Sequence, residues 1–292
     1  MFETPRARAI GWILLTGVLF VGVTGIVRHL GSNLPAVEAA FIRYAFGVGL
    51  MAPFLFRTLR ANPRPRRLGL FVLRGTVHAA GVMLWFFAMA RIPIAEVTAI
   101  GFTSPLFITI GAVLFLGETV RARRVTALGV GFLGTLIILR PGIDTIELGA
   151  LAQLAAAPLF AASFLIAKKL TATESGTTIV AWLSVVVTIA LLLPALAVWR
   201  SPSTEEIFWL ALTALCATAG HYTMTKAISL AEVSLLQPFT FLQLVWASAL
   251  GLIAFGEIPD IWTIVGGAII VSSATYIAHR EARATKLLCT SS

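Results

Sequence analysis

Long apolar stretches separated by short polar connections run through the whole chain. A helix that crosses a bilayer needs about 20 apolar residues at a rise of 1.5 Å each. The pattern predicts ten such helices, at residues 10–27, 36–56, 69–90, 94–116, 123–140, 148–167, 177–199, 207–229, 233–255 and 260–278. The connections leave no room for a separate soluble domain, so we predict an all-α integral membrane protein.

Basic residues collect at alternate ends of these segments. With a cytoplasmic N-terminus, fifteen fall on the cytoplasmic side and four on the other. The first set is Arg6, Arg8, Arg57, Arg60, Arg64, Arg66, Arg67, Arg121, Arg123, Arg124, Lys168, Lys169, Arg280, Arg283 and Lys286; the second is Arg28, Arg91, Arg140 and Arg200. Cytoplasmic loops are enriched in Lys and Arg. We therefore predict a multi-pass protein of the cell inner (cytoplasmic) membrane with both termini in the cytoplasm.

The two halves of the chain carry a weak internal repeat. Ala95-Glu96-Val97 in the first half corresponds to Ala231-Glu232-Val233 in the second, and each begins an apolar segment. A proline and then a Gly-Glu pair follow in both halves: Pro105 and Gly117-Glu118, Pro238 and Gly256-Glu257. Five spans is an odd number, so the second unit enters the membrane from the opposite side. We predict two inverted five-helix repeats, residues 1–144 and 145–292, an arrangement typical of secondary transporters.

Composition excludes several other classes of protein. Hydrophobic residues make up 58% of the chain and charged residues 12%, whereas soluble domains have roughly 45–50% and about 25%. The net charge of +9 arises from residues at the ends of spans rather than on a basic face, so no nucleic-acid partner is predicted. Gly129-Val130-Gly131-Phe132-Leu133-Gly134 lies inside an apolar segment, where it favours close helix packing over a dinucleotide site. No metal or cofactor motif is present, so neither is predicted.

Polar side chains inside apolar segments identify a candidate site. Such residues are costly in a membrane and usually face a cavity or one another. His78 lies about 14 Å into the third segment, near the midplane, and no Asp or Glu lies at that depth. Helical spacing adds aromatic neighbours on the same faces. The predicted substrate-binding residues are Phe20, His78, Trp85, Thr103, Ser104, Gln153, His221, Lys226, Gln243 and Trp246.

Each of these residues also has a structural interpretation. A midplane histidine can serve an interhelical hydrogen bond, and Lys226 can extend to the interface instead of binding a substrate carboxylate. Pro105 and Pro238 each remove a backbone hydrogen bond, which allows local bending, and we assign them to gating or packing. A mostly apolar and aromatic cavity with a few polar groups suits a small amphipathic solute.

Several short motifs, taken together, resemble a known family. They are Phe41-Ile42-Arg43-Tyr44, Ala95-Glu96, Leu116-Gly117-Glu118 and Phe255-Gly256-Glu257. Their order and spacing resemble the drug/metabolite transporter superfamily, in particular its EamA-type branch of ten helices in two inverted repeats. Within that branch the chain is similar to the YddG-type amino acid exporters. The resemblance implies export of small metabolites by alternating access, and a packing or gating role for Arg43 and Tyr44.

The sequence therefore predicts a secondary transporter, not an enzyme, that exports amino acids, with aromatic or other apolar ones favoured, or similar small metabolites. Its partners are the substrate and the lipid bilayer, and nothing in this topology requires a second copy. Another solute on the same scaffold is the main alternative: a nucleotide-sugar would favour two or more deep cations, and a quaternary ammonium drug an intramembrane acid. A lipid-modifying membrane enzyme would need convergent acids or metal ligands near the interface, and a channel would need a continuous polar pore.

Overall fold

A computed structural model describes residues 5–31, 33–61, 67–117, 122–139, 147–240, 242–258, 260–262, 264–269, 271–273 and 276. Over these residues the protein is entirely helical. The helices are α1 (Pro5–Leu30), α2 (Ala36–Ala61), α3 (Leu68–Met89), α4 (Ile94–Gly101), α5 (Ser104–Leu116), α6 (Ala122–Leu139), α7 (Leu148–Leu170), α8 (Gly176–Ala197), α9 (Thr204–Leu230), α10 (Val233–Thr240) and α11 (Gln243–Phe255).

Most of the helices have membrane-spanning dimensions. In the described part of the chain, 7 stretches are long and apolar enough to cross a bilayer: Pro5–Leu30, Ala36–Arg57, Leu68–Met89, Ile94–Leu116, Leu148–Leu170, Gly176–Ala197 and Thr204–Leu230. Shorter apolar helices occupy Leu128–Ile137, Gln243–Phe255 and Ile264–Ser273. Many large apolar side chains on the outer faces are exposed, as lipid contact requires. The molecule is a multi-pass membrane protein.

The predicted spans 94–116 and 233–255 each consist of two helices instead of one. In the first, α4 ends at Gly101 and α5 begins at Ser104, with Pro105 in its first turn. A proline there has no N–H to continue the ladder of the preceding helix. Short-range bonds cross both joints: the Phe102 N–H donates to the Ala99 carbonyl at 3.1 Å, and the Leu242 N–H to that of Phe239 at 3.3 Å.

The Gly-Glu pairs of the sequence repeat mark helix ends. Gly117 ends α5 with φ of 67° and Gly256 ends α11 with φ of 64°, a left-handed conformation that glycine adopts without strain. After this turn the Glu257 carboxylate accepts hydrogen bonds from Arg28 Nε and from the Ile94 N–H, both at 3.1 Å. It therefore joins the end of α11 to α1 and to the start of α4. Glu118 lies outside the described residues.

Contacts between the two halves of the chain form the centre of the bundle. Helix α1 packs on α9, α2 on α8, and α3 on α7. Glycines let these helices approach closely: a Cβ added at Gly75 would lie 2.3 Å from Val186, and one at Gly111 would lie 2.2 Å from Leu165. The largest buried apolar cluster likewise combines residues of both halves, such as Tyr44 and Leu183.

Candidate functional site

A central cavity of about 230 Å³ lies where the two halves meet. Helices α1 to α5, α7, α9, α10 and α11 all contribute to its wall, and the two helix joints open onto it. Its polar lining residues are Thr16, Thr24, Arg43, Tyr44, Arg74, His78, Thr98, Ser104, Gln153, Ser163, His221, Thr240 and Gln243. The remainder of the wall is apolar or aromatic, as is usual for sites that bind small organic molecules.

His78 is the centre of a buried hydrogen-bond chain in this wall. Its Nε2 lies 2.8 Å from the Tyr44 hydroxyl, and its Nδ1 lies 3.0 Å from the Ser163 hydroxyl. Both ring nitrogens are thus satisfied, as buried polar groups require. The chain connects α2, α3 and α7, so it holds the imidazole at a fixed orientation on the cavity wall.

Aromatic rings form a continuous surface next to His78. The His78 ring contacts those of Phe160 and His221, with centroid distances of 5.2 and 5.1 Å. Phe20 lies edge-on to His221 at 5.2 Å, and Trp85 lies edge-on to Phe160 at 5.8 Å. These spacings are those of favourable aromatic pairs. The surface offers a flat conjugated ring several partners at once.

Two glycines determine where the cavity aromatics lie. A Cβ at Gly220 would lie 3.1 Å from the Phe20 ring, and one at Gly81 would lie 3.1 Å from the Phe160 ring. A side chain at either glycine would therefore take up space that the neighbouring aromatic ring now occupies. A third glycine, Gly101 at the end of α4, leaves similar room for the Gln153 amide, whose Nε2 would lie 3.1 Å from such a Cβ.

Polar groups at the helix joint complete the wall. The Ser104 hydroxyl, at the start of α5, donates to the Ala157 carbonyl of α7 at 3.1 Å. Gln153 Oε1 is buried and has no hydrogen-bond partner. An unsatisfied buried oxygen is costly, so this amide is free to accept a hydrogen bond from a bound molecule. Within the described residues, no group of three His, Cys, Asp or Glu is arranged to hold a metal ion.

Most residues predicted from sequence to bind substrate line this one cavity: Phe20, His78, Trp85, Ser104, Gln153, His221 and Gln243. Arg43, Tyr44 and Pro105, which were assigned to packing or gating, line it as well. The cavity thus combines predicted residues from both halves of the chain.

Three predicted residues lie elsewhere. Trp246 is absent from the cavity wall, and 45% of its surface is exposed on the outside of α11. The Thr103 hydroxyl is buried and donates to the Ile100 carbonyl at 2.9 Å, so it stabilises the joint between α4 and α5. Lys226 holds its ammonium 5.5 Å from the centre of the Tyr222 ring. The side chain of Pro238 lies outside the described residues, although its backbone is part of α10.

Several residues of the wall were not chosen from the sequence as binding residues, among them Arg74, Phe86, Phe160 and Ser163. Arg74 precedes His78 by four residues on α3, a spacing that places both on one helix face. Phe160 follows Gln153 by seven residues and shares a face with it in the same way. For Ser163 and Phe86 the sequence carried no comparable signal, because their roles depend on contacts between distant helices.

Comparison with known proteins identifies the family. The EamA-like transporter family matches the chain twice, over residues 7–140 and 147–278. A riboflavin transporter of Vibrio cholerae is 33% identical over 281 residues, which cover 94% of each chain. An S-adenosylmethionine uptake transporter of Rickettsia bellii is 30% identical over 279 residues, again 94% of each chain. A solved crystal structure with 20% identity and a TM-score of 0.72, covering 96% of this chain and 98% of its own, shares the fold. The chain belongs to the EamA-like transporter family.

Proposed function

We propose that the protein is a secondary transporter that carries a small heteroaromatic metabolite through the central cavity, with riboflavin as the first candidate. The observation that carries the proposal is the aromatic surface formed by Phe20, Trp85, Phe160 and the two cavity histidines. Riboflavin combines a flat tricyclic ring with a polyhydroxylated chain. The ring suits stacking and edge contacts with these side chains, and the hydroxyls suit the amides of Gln153 and Gln243.

The relatives support the same class of substrate. Riboflavin and S-adenosylmethionine both join a fused nitrogen heterocycle to a sugar-derived group, and the transporters named for them match the protein over nearly its full length. Neither name refers to the amino acid export expected from the sequence. Aromatic amino acids are therefore the second candidate, favoured by the aromatic wall and by the amino acid group that S-adenosylmethionine itself contains.

We infer that residues 1–144 and 145–292 form inverted repeats that exchange conformations during transport. Two independent observations support this inference. The family matches each half separately, and the helix contacts come in equivalent pairs. If α1, α3 and α5 correspond to α7, α9 and α11, then the contact of α1 with α9 is equivalent to that of α7 with α3. The contact of α5 with α7 is likewise equivalent to that of α11 with α1.

Alternating access follows from this arrangement. Exchange of the conformations of two equivalent units opens a site between them to each side of the membrane in turn. The two broken helices, α4–α5 in the first half and α10–α11 in the second, both border the cavity. We place the protein in the inner membrane with both termini cytoplasmic, on the basis of the distribution of Lys and Arg, and fusion of a side-specific reporter to the C-terminus tests this.

Flux into and out of proteoliposomes tests the proposed substrate. Purified protein is reconstituted, and counterflow of labelled riboflavin, S-adenosylmethionine and tryptophan is measured in both directions, with and without a pH gradient. We expect riboflavin counterflow that is saturable and is inhibited by unlabelled riboflavin. Trp85→Leu should reduce it at least about tenfold, the effect of losing about 1.4 kcal/mol of binding.

Trp246→Leu is the matched control, because this tryptophan lies outside the cavity. It should leave riboflavin counterflow within about twofold of the wild type. Counterflow of tryptophan without that of riboflavin would favour the second candidate. Equal effects of the two tryptophan variants, with both proteins folded, would contradict the assignment of the cavity as the substrate site.

A further inference from the structure

Two arginines border the cavity inside the bundle, Arg43 on α2 and Arg74 on α3. Only 3% and 1% of their surfaces are exposed. An arginine cannot be deprotonated at physiological pH, so both guanidinium groups are buried charges. A buried charge is very costly unless a partner of opposite charge compensates it.

The described residues supply no such partner. No acidic residue lines the cavity, and neither arginine forms an ion pair. Arg74 donates from Nη1 to the Ile179 carbonyl at 3.0 Å, but its Nε and Nη2 are buried without a hydrogen-bond partner. The Arg43 guanidinium lies 3.7 Å from the centre of the Tyr44 ring. This cation–π contact offsets only part of the lost hydration.

We propose that Arg43 and Arg74 bind an anionic group of the substrate, a carboxylate or a phosphate. The planar fork of a guanidinium matches both groups and forms strong charge-assisted hydrogen bonds with them. This inference rests on the proposed function and narrows it. Among heteroaromatic metabolites, those with an acidic group are preferred, so a flavin phosphate binds more tightly than riboflavin itself.

The arrangement along α3 also gives the substrate an orientation. Arg74, His78, Val82 and Trp85 line the cavity in sequence, and 11 residues of helix span about 16 Å. The arginine end is cationic and the Trp85 end is aromatic. The hydrogen-bond chain from Tyr44 through His78 to Ser163 lies between the two ends. The substrate places its acidic group at Arg74 and its ring system near Trp85 and Phe160.

Matched pairs of compounds that differ in the acidic group test the inference. They are riboflavin 5′-phosphate with riboflavin, S-adenosylmethionine with its decarboxylated form, and tryptophan with tryptamine. Each compound is added unlabelled to proteoliposomes as a competitor of the labelled substrate that shows counterflow, and the concentration that inhibits this counterflow by half is measured. In the wild type, at least one acidic compound should inhibit at an about tenfold lower concentration than its partner, which corresponds to about 1.4 kcal/mol. If no pair shows this preference, the inference is wrong.

Variants assign the preference to the two arginines. For each pair, the half-inhibitory concentration of the neutral compound is divided by that of the acidic one. Arg43→Gln and Arg74→Gln should each lower this ratio toward one, mainly by weakening inhibition by the acidic compound. Arg43→Lys, which keeps the charge, should retain part of the preference. Lys226→Gln is the matched control, since Lys226 is a cation that does not line the cavity, and it should leave the ratio unchanged.

The outcomes separate this inference from the proposed function. Riboflavin counterflow in a protein that does not distinguish riboflavin from its phosphate would overturn the inference and leave the proposed function intact. Tryptophan counterflow without flavin counterflow, combined with strong discrimination against tryptamine, would overturn riboflavin as the substrate and support the role of the two arginines. A preference that persists in both glutamine variants would also overturn the assignment to Arg43 and Arg74.

Discussion

His78 Nε2 and the Tyr44 hydroxyl lie 2.8 Å apart in the wall of the central cavity, and this hydrogen bond joins α2 to α3 at the level of the candidate site. His78 contacts Phe160 and His221 through its ring. The position of the aromatic surface therefore depends on a polar contact behind it.

Tyr44→Phe tests that dependence. The substitution removes only the hydroxyl and leaves a buried imidazole nitrogen unpaired, at a cost of about 1–3 kcal/mol. We expect a lower thermal unfolding temperature in detergent and weaker substrate binding. Tyr222→Phe is the control, because Tyr222 lies outside the cavity wall and contacts Lys226 through its ring face. Similar losses in both variants would show that the hydrogen bond with His78 has no special role.

Gly220→Ala should weaken substrate binding without unfolding the protein. The new methyl group would lie 3.1 Å from the Phe20 ring, so this ring of the cavity wall must shift by a few tenths of an ångström. We expect a rise in the half-saturating substrate concentration, measured by counterflow. Gly22→Ala on α1 is the control, since no atom lies within 4 Å of its added Cβ. Alanine there should be neutral or stabilising by up to about 1 kcal/mol.

The contact between Arg28 and Glu257 should contribute measurably to stability. Arg28 Nε donates to the carboxylate at 3.1 Å, and the same carboxylate accepts the Ile94 N–H. The ion pair is partly exposed, with 26% and 19% of the side chains accessible, so we expect a coupling free energy of about 0.5–1 kcal/mol. A double-mutant cycle with Arg28→Gln and Glu257→Gln measures it. Strictly additive effects would mean that the two groups stabilise the fold independently.

Glu257→Gln alone should cost more than Glu205→Gln. Both carboxylates lie at a helix N-terminus, where the helix dipole favours a negative charge, because Glu205 is in the first turn of α9. Glu257 in addition accepts hydrogen bonds from Arg28 Nε and the Ile94 N–H, whereas Glu205 accepts one from the indole nitrogen of Trp209, at 3.4 Å. We expect the lost hydrogen bonds of Glu257 to give a difference of about 1 kcal/mol in the free energy of unfolding. Equal stability of the two variants in thermal unfolding would contradict this role for Glu257.

Pro105→Ala should slow transport while leaving the fold intact. Alanine restores an N–H in the first turn of α5, which favours a continuous helix from α4 into α5 across Phe102 and Thr103. A stiffer joint beside the cavity should lower the maximal rate of counterflow more than it changes the half-saturating concentration. Pro194→Ala is the control, because Pro194 lies inside α8 with its side chain exposed. A faster rate in Pro105→Ala would contradict a role of the break in transport.

The hydrophobic pattern predicted where the helices lie more reliably than how they are subdivided. Segments such as 36–56 and 69–90 coincide closely with α2 and α3, because a run of apolar residues bounded by charges has one favourable state in a membrane. The breaks in 94–116 and 233–255 were not predicted. A proline in the first turn of a new helix and one inside a bent helix look the same in a sequence.

Depth in the membrane could be read from the sequence, but the direction of a side chain could not. His78, His221 and Ser104 were selected by depth, and all three line the cavity. Thr103 was selected in the same way but instead stabilises the joint between α4 and α5. Gln243 and Trp246 were grouped by their spacing of three residues, yet only Gln243 faces inward. Three residues turn a helix by about 300°, and the remaining 60° moves Trp246 onto the outer surface. The partners of His78 could not be predicted, since Tyr44 and Ser163 come from separate helices.

The close contacts of glycines bear on how the chain can be divided. The side chains of Val186, Leu165 and Leu250 pack against Gly75, Gly111 and Gly25, respectively. In these three contacts the glycine lies in residues 1–144 and the side chain in residues 145–292. Expressed alone, either half would lose the surface that complements it and expose half of the cavity. Two separate polypeptides should restore transport only when they are produced together. A single chain produces both halves in equal amounts, so each of these glycines is always made together with the side chain that packs against it.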